Sequence, residues 1–178
     1  HRLRKAGFNR VSLGMQSAND RDLLELGRIH TAAQTRQAVD AVRKAGFDNL
    51  SLDLIYGLPG QTLPQWQATL AAAEELAPEH LSCYGLQVEE GTPLYTRRED
   101  LDLPGEETQA ELYLWAVEDL SRHGYRQYEI SNFAKPGRES RHNLKYWSLA
   151  EYAGFGPGAH SDFGDTSYAY ARDLEGYI

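Results

Sequence analysis

The stretch Leu50-Ser51-Leu52-Asp53-Leu54-Ile55-Tyr56-Gly57-Leu58-Pro59-Gly60-Gln61-Thr62 holds a strand, a turn and the start of a helix. Leu50, Leu52 and Leu54 alternate with Ser51, Asp53 and Ile55, which is the period of a strand with two unlike faces. Two glycines and a proline then break the run. Thr62-x-x-Gln65 has capping-box spacing, and Pro64 suits a first helical turn. Trp66, Leu70, Ala73 and Ala77 follow at helical spacing. The same unit occurs upstream. Arg4-Lys5-Ala6-Gly7-Phe8 returns as Arg43-Lys44-Ala45-Gly46-Phe47, and each copy leads into an apolar run, Val11-Ser12-Leu13 or Leu50-Ser51-Leu52. A third run begins at Leu81-Ser82-Cys83. Such repeats are βα units.

Strands are expected near 11–16, 50–56 and 81–87, with a weaker one near 125–130. Gly7, Gly46 and Gly124 stand where helices should end, because glycine takes the left-handed conformation without steric cost. Thr31-x-x-Gln34 is a second capping box. Ala38, Ala41, Val42 and Ala45 share a helical face, as do Leu112, Trp115, Ala116 and Leu120. Alternating strands and helices predict an α/β fold with parallel strands and right-handed crossovers. Val11, Leu13 and Met15 should lie under helices, and Ser12, Gly14 and Gln16 on the other face. A barrel that filled itself would want bulky branched residues there, so small and polar ones leave room for a ligand. Gln16 and Asp53 fall toward the carboxyl ends of their strands, where α/β folds build sites. From Arg126 onward the pattern turns loop-rich and dense in tyrosine. Residues 1–125 therefore read as βα units, and 126–178 as the start of an α+β extension.

Composition narrows the function. A net charge of −8 and a pI near 5.2 argue against a binder of nucleic-acid phosphates. No run is long and apolar enough for a membrane span, and the opening residues have no signal-peptide core. Cys83, the single cysteine, rules out an internal disulfide and a three-cysteine cluster site, and reads as a buried small hydrophobe. A cytoplasmic location is the expectation. The chain opens on His1, which reads as a start inside a longer protein.

Three groups of residues could carry chemistry. Gln16, Arg28 and Asp53, with Ile55 and Tyr56, could hold a nucleoside-like ligand: Asp and Gln pair with ribose hydroxyls, and Arg grips a carboxylate. Equally, Arg28 reads as a solvated cation at a helix end, and Asp53 as a helix cap or ion-pair member. The Gly57–Gly60 loop could let backbone approach a planar ligand, or could be a plain βα turn. In the stretches Tyr128–Ala134 and His142-Asn143-Leu144-Lys145-Tyr146-Trp147, a histidine beside aromatics could ligate a heme iron, though a lone histidine is more often a surface or hydrogen-bonding residue. His160, in a glycine-rich stretch, is a weaker candidate. The chain carries no phosphate-loop motif, and no hydrolase triad stands out.

Val11-Ser12-Leu13-Gly14-Met15-Gln16-Ser17, Gly27-Arg28-Ile29-His30 and Asp53–Thr62 resemble the coproporphyrinogen-oxidase branch of the radical S-adenosylmethionine (SAM) proteins, and the resemblance runs through essentially the whole chain. It implies an open, partial (β/α) barrel, of which these residues form the second half. It implies SAM contacts at Gln16, Arg28 and Asp53, an isoleucine against adenine at Ile55, and a backbone contact near Gln87. Ser140-x-His142-Asn143-x-x-Tyr146-Trp147 looks like the signature of the HemW-type heme chaperones. That implies heme bound through His142, with Tyr146 and Trp147 beside it, and heme-accepting proteins as partners. The alternative within the branch is an oxygen-independent coproporphyrinogen III oxidase-like enzyme. The family's three-cysteine loop for a [4Fe-4S] cluster belongs before residue 1 and a tail domain after Ile178. The 178 residues alone are thus expected to make no radical and to be inactive. Peripheral membrane association and the oligomeric state stay open.

Overall fold

The computed structural model describes residues 2–178. The chain divides into two compact units, one up to Arg138 and one over Glu139–Ile178.

The first unit begins with helix α1 (Arg2–Lys5) and strand β1 (Val11–Gln16), then α2 (Asp20–Glu25), α3 (Ala32–Lys44), β2 (Leu50–Tyr56), α4 (Leu63–Glu75) and β3 (His80–Gly85). A 3-10 turn over Tyr95–Asp100 leads to α5 (Glu106–Arg122), β4 (Arg126–Gln127) and β5 (Asn132–Ala134). The sheet order is β1-β2-β3-β5-β4. The first three strands are parallel, as the βα repeat requires, and β5 and β4 add on antiparallel. The sheet is open, with β1 and β4 at its edges among the described residues.

Helix ends follow the sequence signals. Thr31 N–H donates to Gln34 Oε1 at 2.9 Å, and Thr62 N–H donates to Gln65 Oε1 at 2.8 Å, so both capping boxes form. Gly46 and Gly124 end their helices at φ 88° and 83°. One sheet face carries the core: Leu50, Leu52, Leu54, Leu81, Cys83 and Phe133 pack under Trp66, Leu70, Leu112, Ala116 and Leu120. Trp66 Nε1 donates to the Leu112 carbonyl at 2.9 Å, which satisfies the indole and ties α4 to α5.

Several sequence expectations change. The packed face of α3 is Thr35, Val39 and Val42, while Ala41 is exposed, because the larger valines set the contact line. Ala77 lies beyond α4 at φ 48° and is exposed. The third strand stops at Gly85, two residues short of the expected 87. The strand expected near 125–130 is two short strands. Tyr128 N–H donates to the Asn132 carbonyl at 3.1 Å and Glu129 Oε1 accepts from Ser131 N–H at 3.2 Å, which turns the chain back on itself. That antiparallel pair extends the sheet, so the compact unit runs to Arg138 and not to the 125/126 boundary read from composition.

The second unit contains α6 (Arg141–Trp147), the hairpin β6 (His160–Phe163) and β7 (Thr166–Ala169), and α7 (Leu174–Tyr177). Gly164 and Asp165, at φ 61° and 58°, make the two-residue turn that hairpin twist favours. His160 opens β6 and is exposed.

Candidate functional site

Gln16, Arg28, Asp53 and Ile55 line one cavity of about 400 Å³, together with Tyr84, Gly85, Leu86 and Gln87. Each arrives for a separate local reason. Asp53 and Ile55 project from the polar face of β2, in register with Ser82 and Tyr84 of β3. Asp53 sits at the middle of its strand, not near its carboxyl end. Arg28 follows a helix instead of belonging to one. Gly27 at φ 67° closes α2, with Gly27 N–H on the Leu24 carbonyl at 2.9 Å and Arg28 N–H on the Leu23 carbonyl at 2.8 Å. This is a Schellman closure, and it leaves the Arg28 side chain exposed at the cavity rim.

Gln16 is held by a strained turn. The register of β1 slips between Gly14 and Gln16, Gln16 takes φ 63°, and Ser17 N–H bonds back to the Met15 carbonyl at 2.8 Å. A non-glycine residue in that region costs about 1–3 kcal/mol, and such strain gathers at functional sites. The turn folds the Gln16 amide back over Gly14: a Cβ on Gly14 would sit 2.6 Å from Gln16 Nε2. Gly14 is itself the register partner of Asp53. Glycine at 14 therefore lets the amide lie over the sheet face beside the carboxylate.

The polar face continues below the cavity. The Ser12 hydroxyl lies 3.1 Å from both Asp53 carboxylate oxygens. Further down, His80 is 1% exposed, with Nδ1 2.8 Å from Ser51 Oγ and Nε2 2.8 Å from the Tyr128 hydroxyl. Burial, helped by the nearby Arg10 cation, pushes His80 down to about 3, so the ring is neutral. One ring nitrogen then donates and the other accepts, and each hydroxyl takes the complementary role. Arg10 donates to Asn49 Oδ1 at 3.2 Å and to the Arg138 carbonyl at 3.3 Å. The bottom of the polar face is thus closed by a satisfied network, and the top is open. Ser12 lies on the face expected for it, whereas His80 and Tyr84 were not expected there. Strand parity could have found them, since His80, Ser82 and Tyr84 occupy the same alternating set as Ser51, Asp53 and Ile55.

Several other candidates go elsewhere. Tyr56 lies on the core face against Trp66 at 5.7 Å and Tyr113 at 6.4 Å, and takes no part in this cavity. The Gly57–Gly60 loop does not line it either. Gln61 Oε1 accepts from Gly57 N–H at 2.7 Å, Gly60 N–H donates to the Asp102 carbonyl at 2.7 Å, and Pro59 and Gly60 border a different cleft. Cys83 is sealed in the core, where burial pushes its thiol up. In the second unit, α6 keeps two of the expected heme residues together and carries Trp147 away from His142. His142 Nε2 lies 3.1 Å from the Tyr146 hydroxyl, and Tyr146 stacks edge-on with Tyr152 at 4.7 Å. Trp147, 53% exposed, lines a shallow groove with Arg141, Leu144, Lys145 and Ser148, and His142 is not part of it.

Residues 1–73, which hold Gln16, Arg28, Asp53 and Ile55, match the Radical SAM superfamily. The chain thus carries a Radical SAM domain over that stretch. It is 45% identical over 179 residues to the heme chaperone HemW of Bacillus subtilis (strain 168), an overlap of 99% of this chain and 47% of that protein. It is 40% identical to the mitochondrial radical S-adenosyl methionine domain-containing protein 1 of Bos taurus, across 96% of this chain and 40% of that one. The chain therefore spans about half the length of these curated relatives. The solved coproporphyrinogen III oxidase of Escherichia coli superposes with a TM-score of 0.79 over 97% of this chain and 43% of that one, at 24% identity. At that identity the likeness carries the fold, and the open α/β sheet agrees with the partial barrel expected from the sequence.

Proposed function

We propose that this chain is the SAM- and heme-binding part of a heme chaperone of the radical SAM superfamily, which binds heme and passes it to heme-accepting proteins in the cytoplasm. One observation supports the SAM half most directly: Gln16, Arg28, Asp53 and Ile55 share a single cavity, with Gln87 at its edge. Asp53 and Gln16 supply an acceptor and an amide for ribose hydroxyls, Arg28 supplies a fork for the methionine carboxylate, and Ile55 supplies an apolar wall for adenine. The Ser12 hydroxyl fixes the Asp53 carboxylate, and the Gly14 gap fixes the Gln16 amide.

The 45% identity to a heme chaperone across nearly the whole chain supports the heme half. In the second unit the exposed Trp147 ring offers a macrocycle a face, and Arg141 and Lys145 in the same groove suit its propionates. His142 lies outside that groove, so it would ligate the iron of a heme seated there only after giving up its contact with the Tyr146 hydroxyl and after α6 rearranges. A [4Fe-4S] cluster does not fit the residues present, because the lone cysteine points into the core, so no radical step is assigned to them. In the superfamily the cluster supplies one-electron chemistry to bound SAM. The coproporphyrinogen oxidase alternative has the likeness of fold behind it and no residue of its own.

Calorimetric titration with SAM tests the cavity. Asp53→Ala should weaken binding by about 1–3 kcal/mol, the cost of stranding buried polar partners. Unchanged affinity would remove Asp53 from the site. Hemin titration should give a Soret band that shifts in His142→Ala, and an unshifted band would remove that histidine as ligand.

A further inference from the structure

At the end of α4 and α5 lies a group that the SAM and heme reading leaves unused. Glu74 comes from the last turn of α4, and Asp119 and His123 stand one turn apart at the end of α5, so they share a helix face. His123 Nδ1 is 3.1 Å from Glu74 Oε1 and 3.7 Å from Asp119 Oδ1. One ligand atom from each of the three side chains lies within 4.8 Å of the other two. A tetrahedral zinc-class ion, with bonds of about 2.0–2.2 Å, sets its ligand atoms about 3.4 Å apart. The two separations from His123 Nδ1, 3.1 and 3.7 Å, lie on either side of that edge.

A second observation points the same way. Glu74 Oε1 is shut off from solvent and accepts no hydrogen bond, although the imidazole is adjacent. His123 Nδ1 faces the Asp119 carbonyl oxygen at 2.9 Å instead. A buried carboxylate oxygen without a donor is costly to leave so. Two carboxylates and the carbonyl ends of two helices also concentrate negative charge here, which favours a cation.

We propose that Glu74, Asp119 and His123 form a binding site for one divalent transition-metal ion of the zinc class. The imidazole selects against magnesium and calcium, and the three ligands leave a fourth position for water. On binding, the metal replaces any proton on Nδ1, and Glu74 Oε1 gains the partner it lacks. The ion would clamp α4 to α5 at the end where both helices finish.

The test is cobalt(II) titration of this 178-residue chain, read by its visible ligand-field absorption, with zinc-dependent melting in parallel. The variants are Glu74→Gln, which keeps the side-chain shape, and His123→Ala at an exposed position. One equivalent should bind with the bands of a four- or five-coordinate ion. Each variant should lose more than roughly a hundredfold in affinity, since loss of an outer-shell partner alone costs about 10–100-fold. Zinc should raise the melting temperature of the parent chain and of neither variant. No bound equivalent in the parent, or an affinity in both variants equal to the parent's, overturns the proposal. Because His142 and His160 remain in every variant, binding at those residues appears as the second of these results.

Discussion

The two units hold their candidate residues by different means. In the first, the cavity stands on a sheet whose other face is sealed: Leu50, Leu52, Leu54, Trp66 and Leu70 are each 0–1% exposed. Asp53, Ile55 and Tyr84 are set by strand register, and Gln16 by a bulge, so their positions cannot change without moving the core. In the second unit Ser161 is the buried residue, and Trp147, Leu149 and Phe155 are exposed at 53%, 86% and 86%. Its residues are placed by short elements, edge-on tyrosine contacts and one hairpin. A site built on the first pattern is rigid before its ligand arrives. A site built on the second has apolar surface to bury and gains order when a ligand covers it.

The sharpest way to break this contrast is a pair of tryptophan truncations. Trp66→Ala should cost about 3–5 kcal/mol in urea unfolding, because it empties a sealed site and removes the indole bond that ties α4 to the Leu112 carbonyl. Trp147→Ala should stay within about 0.5 kcal/mol, as exposed substitutions do. Similar costs for the two would mean that the second unit has a core of its own.

Acid should also separate the units. His80 stays neutral in the fold down to about pH 3, against an ordinary value of 6.5. Between those values the unfolded chain binds more protons than the folded one, so stability falls as pH falls. The slope from this residue is up to about 1.4 kcal/mol per pH unit, and it vanishes above 6.5 and below 3. His80→Gln should flatten that slope in urea titrations between pH 6.5 and 4. A slope unchanged in the variant would place the acid sensitivity elsewhere.

A smaller effect isolates the cavity from the core. Gly14→Ala puts a methyl group 2.6 Å from Gln16 Nε2 and displaces the end of a flexible side chain, not the backbone. SAM affinity should drop by about 1–3 kcal/mol while the urea midpoint hardly moves. A large loss of stability with intact affinity would reverse the roles given to Gly14 and Gln16.

Most of the first unit was legible because its signals are local or strictly periodic. Leucines at every second position from Leu50, the capping boxes at Thr31 and Thr62, and the glycines at 46 and 124 each dictate one structure. The convergence of Gln16, Arg28 and Asp53 came from resemblance to a family, since no spacing rule joins a strand bulge, a helix closure and a mid-strand residue. The β4–β5 pair was hidden because its strands are two and three residues long and gain their stability from pairing with β3. His80 was overlooked because a histidine before an apolar run reads as a strand flank, and only the hydroxyls of Ser51 and Tyr128, distant in sequence, make its burial affordable. Parity along β3 would have put it on the polar face. In the second unit, His142 and Trp147 were grouped by adjacency, but five positions of helix carry them to different sides of α6.

The central claim is that one pocket on the polar face of the sheet takes SAM. A crystal structure of the chain with SAM tests it most directly. Ligand density should show the ribose beside Gln16 and Asp53, the carboxylate at Arg28 and the adenine against Ile55. Density in any other cleft, with that pocket holding only water, would contradict it.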